Sequence, residues 1–212
     1  MIIEGVVNPP SNSSYSDGDD VVVRCGKTGE WVISPQHAEY YQQTYWRKMF
    51  HGSSTTSVTI PITSTTAPTF ILWNHYGSGV NCVLVKYLVG YVSGKTVEGN
   101  IQLGVILNAG DKISTGAPIS TFTDSAVMNG ILEVGMPEAR FGVAATIIAA
   151  THFLPLGLSP MQLDATSSAP AMMEHKFDGT VIIPPGVAVF SCASADSVAK
   201  FHERIVWYEY PT

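Results

Sequence analysis

Histidine, cysteine and carboxylate side chains are where catalysis or metal binding would begin. The chain has six histidines, His37, His51, His75, His152, His175 and His202. No two have the H-x-H, H-x3-H or H-x4-H spacing that sets two imidazoles on one metal, so no local metal site is expected. A site assembled from distant strands, as in cupins, would need a clustered His pattern, which is not found. Glu174 beside His175, and Glu203 beside His202, read as surface pairs. The cysteines Cys25, Cys82 and Cys192 are odd in number and lack C-x-x-C spacing. They read as small buried hydrophobes of a chain folded in a reducing compartment. There is no G-x-S-x-G elbow, and Gly26-Lys27-Thr28 lacks the rest of a P-loop. Asp17-Gly18-Asp19-Asp20 begins like a calcium loop, but Thr28 stands where the bidentate Glu belongs. Carboxylate pairs for glycoside hydrolysis would meet only in the fold, and nothing singles one out. The expectation is a protein without catalytic residues, cofactor or metal.

Composition points the same way. Of 212 residues, 45% are hydrophobic and only 13% are charged, roughly half the usual charged share. Little charge is left to cover a monomer's surface, which favours burial against other chains. Ser and Thr hydroxyls wetting the surface are the competing explanation. The net charge is −6, and the eleven Lys and Arg are scattered, so no nucleic-acid partner is expected. No run of eighteen apolar residues predicts a membrane span, and no signal-peptide pattern is seen at the start.

The elements follow from periodicity and breakers. Residues 1–20, rich in Pro, Ser, Asn, Asp and Gly, read as an extended arm that becomes ordered only on a neighbour. Asp20–Cys25 and Glu30–Ile33 read as a β-hairpin. Ser34-Pro35 signals a helix start, and the helix is expected over Gln36–Phe50, stopping at Gly52. It carries Tyr40, Tyr41, Tyr45, Trp46 and Phe50, with Tyr41, Tyr45 and Met49 sharing a face at spacing four. Such a helix either packs on the core or offers an aromatic surface to another subunit. These five aromatics are the candidate partner-binding residues.

A Thr/Ser tract from Ser53 opens the main domain, giving an expected division into 1–52 and 53–212. Strands are expected at Val58–Ile62, Thr69–Trp73, Asn81–Val92, Ile101–Leu107, Ile131–Val134 and Arg140–Phe153. The near-continuous apolar run of Asn81–Val92 suggests cover on both faces. Lys86 within it must snorkel or pair. Residues 154–176 read as a long contact loop. Phe177–Ile183, Val187–Ala193 and Phe201–Tyr210 form three closing strands. Eight or nine strands with turns every 8–12 residues predict an all-β chain. The expected architecture is an antiparallel β-sandwich, jelly-roll-like, with an extended N-terminal arm and one short helix.

The segment Glu30-Trp-Val-Ile-Ser-Pro-Gln-His-Ala-Glu-Tyr-Tyr-Gln-Gln-Thr-Tyr-Trp-Arg-Lys-Met-Phe50 resembles one in tailed-bacteriophage virion proteins, where a Tyr-rich run precedes a Thr-rich strand. The ending, Ile182-Ile-Pro-Pro-Gly186 and Ile205-Val-Trp-Tyr-Glu-Tyr-Pro211, is similar to the last strands of the same proteins. The likeness covers the two ends of the chain and the middle only in texture. It implies a capsid cement, decoration or minor structural protein. Such a protein would be made in the host cytoplasm and would sit on the capsid surface. Its partners would be its own copies, as a homotrimer, and the major capsid protein. The rival from another class is a receptor- or carbohydrate-binding module of a tail fibre or spike. That module would use the loop of Trp73, His75 and Tyr76 beside Gly77 and Gly79, unless Trp73 is strand core. Deleting residues 1–20 is expected to leave the oligomer folded and to abolish particle binding. Unchanged occupancy on particles after the deletion would remove the arm from the mechanism.

Overall fold

From residue 47 onward, alternating and near-continuous apolar runs assemble into two antiparallel sheets facing each other across a shared core. The computed structural model describes residues 4–6, 20–22, 40–63, 67–94, 100–107, 109, 119–148, 150, 152–158, 172–195 and 198–212. The chain divides into two units, Met1–Trp46 and Arg47–Thr212.

The first unit contains β1 (Glu4–Val6), β2 (Asp20–Val22) and α1 (Tyr41–Tyr45). β2 pairs with β1 in antiparallel register. The strand expected at Asp20 thus has one partner earlier in the chain, at Glu4–Val6. The other half of that hairpin, Glu30–Ile33, lies outside the described residues, as does the helix start at Ser34-Pro35. The helix is shorter than its aromatic pattern suggests. It opens with the Thr44 amide donating to the Tyr40 carbonyl at 3.0 Å. The left-handed backbone of Arg47, φ 59°, follows its end, a conformation that cannot continue a right-handed helix. Met49 and Phe50 then belong to a strand.

The second unit holds β3 (Met49–Ser53), β4 (Ile71–Asn74), β5 (Val80–Ser93), β6 (Ile101–Ile106), β7 (Ile119–Asp124), β8 (Val127–Asn129), β9 (Arg140–Ile147), β10 (His152–Leu158), β11 (Met172–Ile183), β12 (Val187–Ala193) and β13 (Lys200–Pro211). One sheet has the order β11-β5-β13-β3-β8 and the other β10-β6-β12-β4-β9-β7. Every ladder between these strands is antiparallel. The pairing is nested: β3 with β13, β4 with β12, β5 with β11, and β6 with β10. A long double ribbon rolled so that successive strands alternate between sheets is the jelly roll. β7, β8 and β9 are inserted at the far end of the ribbon, and β8 and β9 extend the two sheets beside β3 and β4.

Several sequence expectations move. The boundary expected after residue 52 falls inside β3, because Met49 and Phe50 are needed to pair with β13. Arg140–Phe153 is not one strand but the whole of β9 and the beginning of β10. Both ends of the expected 154–176 loop are strand. Ile131–Val134 is a turn, not a strand, and contributes only one bridge, Val134 to Met128. Weak patterning had hidden β7 and β8.

The apolar run of β5 has a geometric cause. Leu84 pairs with Trp207 and Lys86 with Val206, leaving Val85 as a bulge. The extra residue shifts the alternation, so Cys82 and Leu84 before it, and Tyr87 and Val89 after it, all enter the core. Opposite the bulge, β11 loops out through residues 177–180. There Asp178 and Gly179 adopt φ 47° and 79°. β4 and β12 are covered on both faces. Leu72 and Val189 face the inter-sheet core, while Ile71, Trp73, Ala188 and Phe190 join Ile119 and Ile147 in a second cluster.

Trp207 is fully buried and packs between Phe50 and Phe141, with ring centroids 5.8 and 6.0 Å away. Trp207→Ala is expected to destabilise the fold by about 3–5 kcal/mol through lost contacts and a residual cavity. Urea unfolding of the variant measures this. A loss below about 1 kcal/mol would show that the core collapses around the gap.

Candidate partner-binding surface

The five candidate aromatics do not act as one group. Tyr41 and Tyr45, one turn apart on α1, are exposed, and their rings stack at 6.0 Å with 17° between planes. Tyr40 lies before the helix with φ 61°, its carbonyl accepting from the Thr44 amide and, at 2.9 Å, from the Thr44 hydroxyl. Trp46 is half-buried at the end of the same unit. Phe50 belongs to the second unit and is 5% exposed against Trp207. It is therefore a core residue of this fold, not a contact residue on the helix. The strand after Arg47 turns its side chain inward.

A more apolar surface is found where the sequence suggested a strand. The turn after β8 carries Leu132, Val134 and Met136, which are 73%, 80% and 87% exposed, with Met128 and Ile131 exposed beside them. The turn is built by Asn129, which is buried. Its side-chain Oδ1 accepts from the amides of Ile131 at 3.2 Å and Glu133 at 2.9 Å. Its own amide donates to the Glu133 carbonyl at 2.9 Å, and Gly130 and Gly135 bond to Met49 and Val127. Asn closes a turn this way because its short amide reaches its own downstream backbone. Leu132 is held at φ 63°, a conformation unfavourable for a Leu outside such a frame. Large apolar side chains are thus offered to solvent on a hydrogen-bonded scaffold. The turn's hydrogen bonds fix its backbone, so covering these side chains would cost little backbone entropy.

The loop named for glycan binding reads differently. Trp73 is buried in β4, against Phe122 at 5.7 Å, with Arg140 packed over both rings. Arg140 is held by Asp124 through bonds of 3.0 and 2.7 Å. Tyr76 stays exposed on a short 3-10 turn, Tyr76–Ser78. Buried Asn74 forms that turn, accepting from the Ser78 hydroxyl at 2.5 Å and donating to the Val80 and Ile183 carbonyls at 2.8 Å.

The titratable groups inside the fold bind protein, not solvent. Glu203 was expected on the surface but is 1% exposed, because it shares the inward parity of Phe201, Ile205 and Trp207. One carboxyl oxygen takes the Tyr87 hydroxyl, and the other takes the Thr69 hydroxyl at 2.9 Å. Thr69 reaches Ser191 on the facing sheet at 3.3 Å. Burial raises the Glu203 carboxyl above its ordinary range, although the hydroxyl bonds oppose the shift. Glu209, further along the same face, accepts from the amides of Glu138 at 2.8 Å and Ala139 at 3.0 Å and from the Trp207 indole at 3.3 Å. Burial raises its carboxyl too. Cys82 and Cys192 are buried. Desolvation pushes the Cys82 thiol up and the Cys192 thiol to about 12, so neither is a ready thiolate. Cys25 lies outside the described residues. Among the described residues no three His, Cys, Asp or Glu are grouped to hold a metal ion. Among them, too, no helix is long and apolar enough to cross a membrane. Lys86 pairs with Glu174 at 3.8 Å, both partly exposed.

No protein-family model, no curated protein and no solved structure matches this chain.

Glu203 yields a pH test. A carboxyl raised on folding favours the folded state fully below its unfolded value, and that contribution is lost as pH rises through the folded value. Glu203→Gln, which stays neutral, is therefore expected to gain on the wild type as pH rises from 4 to 8. Urea unfolding across that range checks it, and a gap that does not change with pH would show that Glu203 does not titrate there.

Proposed function

We propose that the protein is a virion structural protein, a jelly roll that decorates or cements a phage capsid by binding the major capsid protein and its own copies. The observation that carries this reading is the rigid turn that exposes Leu132, Val134 and Met136. Apolar side chains of that size on a monomer's surface mark a contact site. The chain also exposes Ile182, Met172, Val198 and Tyr210, in keeping with its 13% charge. The likeness of the two chain ends to phage virion proteins supplies the particle. A homotrimer is the expected assembly, because a cement protein gains avidity when several weak contacts are joined in one body.

A receptor- or carbohydrate-binding module is the second reading. It is favoured by exposed Tyr76 and weakened by the burial of Trp73, which leaves that loop without an indole face for a sugar. A glycan array with Tyr76→Ala as control tests it.

The deciding experiment is light scattering of the purified chain, alone and mixed with particles stripped of it. A trimer that rebinds the shell supports the cement reading, and a monomer without affinity for the shell overturns it. The double variant Leu132→Asp, Met136→Ser is expected to keep the fold, since both side chains face solvent. It should weaken self-association or shell binding by at least about tenfold. Wild-type association by this variant would move the contact away from the turn.

A further inference from the structure

The outer face of the five-stranded sheet carries an unusual arrangement of charge. Its register sets Lys176 of β11, Lys86 of β5, Val206 of β13, His51 of β3 and Met128 of β8 in one row. The adjoining row is Glu174, Leu88, Arg204 and Ser53. Lys176 stands directly opposite Lys86, and like charges in that position repel. Glu174, bound to Lys86, is the one carboxylate in the two rows. Arg204 has no carboxylate partner among the described residues. One guanidinium nitrogen, Nη2, lies 2.5 Å from Nδ1 of His51. Arginine only donates, so that His51 nitrogen is the acceptor and the ring is neutral. The Arg204 Nε is buried and unpartnered.

We propose that Arg204, Lys86 and Lys176 form a receptor for a carboxylate-rich segment of another protein chain, laid across the outer face of the five-stranded sheet. The charge balance selects that chemistry. Three cations and one carboxylate face outward here in a chain whose net charge is −6. Planar guanidinium binds carboxylate in bidentate geometry. Exposed Met172, Ile182 and Met128 on the same sheet face supply apolar contact for the rest of the segment. The inference deepens the proposed function by naming the partner's chemistry, and rests on it only in taking the occupant to be a protein.

His51 reports on the site. Burial first, then Arg204 and Lys86, hold its pKa down to about 4. The charged groups on the same sheet face are Arg204 on neighbouring β13, Lys86 on β5 beyond it, and Lys176 and Glu174 on β11 further still, and the neighbour on β8 is uncharged Met128. A carboxylate arriving at Arg204 offsets the two cations, so His51 should gain proton affinity when the segment binds.

The test uses the full chain and a labelled deca-aspartate peptide, read by fluorescence anisotropy at low salt, with deca-lysine as control. Saturable binding is expected, weakened about tenfold by Arg204→Gln and comparably by Lys176→Glu. The second variant lies at an exposed position and keeps the question open should the first fail to fold. The His51 ring signals should titrate at higher pH with peptide than without. Equal binding by wild type and Lys176→Glu, or equal binding of deca-lysine, would overturn the proposal. Full displacement of the peptide by inorganic phosphate at the same charge concentration would also overturn it, because the site would then take any small anion. Peptides rather than particles are used, so failure here leaves the cement reading standing, and failure on particles leaves this site standing.

Discussion

β13 lies between β3 and β5, and its inward face joins the two sheets chemically as well as by packing. Phe201, Ile205 and Trp207 fill the core, and Glu203 and Glu209 alternate with them. Glu203 reaches Thr69 and, through it, Ser191 of the facing sheet. Glu209 holds the amides that lead into β9. A buried carboxyl left without donors would cost several kcal/mol. Each of these takes one donor from its own sheet and at least one from the approaches to the other, so the two sheets must meet in one register for either acid to be fully satisfied. This constraint accompanies the nested pairing, since β13 closes the ribbon against β3, the strand with which the second unit begins.

Once the roll is closed, what remains outside is decided by interruptions in the strands. The Val85 bulge turns both halves of β5 toward the core and lets β11 loop out opposite it. The insertion β7–β9 widens both sheets and contains, between β8 and β9, the Asn129 turn. There the strand alternation stops, and successive apolar residues can no longer be sent inward. Leu132, Val134 and Met136 are exposed for that backbone reason. The cationic rows arise differently, from the regular register of β11, β5, β13 and β3 on one side of the Val85 bulge. The two surfaces are thus products of two features of one sheet, a turn at its edge and a ladder at its centre.

The all-β class, the antiparallel sandwich and its closing strands were legible in the residues. Val187–Ala193 was read with the bounds it has, because Pro184-Pro185-Gly186 and Ser194 punctuate an apolar run. The burial of Trp73 and the pairing of Lys86 were foreseen as alternatives. Phe50 was misplaced because aromatic spacing continued the helical pattern past Arg47, whose left-handed backbone leaves no mark in residue type. Glu203 and Glu209 were legible in principle: both fall on the parity of Phe201 and Trp207. A charged residue on an inward parity signals a buried acid with partners, but the neighbouring His202 drew the reading to the surface.

Composition and local pattern thus established a low-charge chain of β-strands, with turns where Gly, Pro and Asn stand, because those preferences act over a few residues. They could not place Lys176 opposite Lys86, bring His51 to Arg204, or seat Thr69 and Tyr87 on Glu203. Those groups are far apart in the chain, and no local preference links them. Strand register and the closing of one sheet on the other brought them together, because burying both apolar faces while pairing every strand leaves few ways to align them.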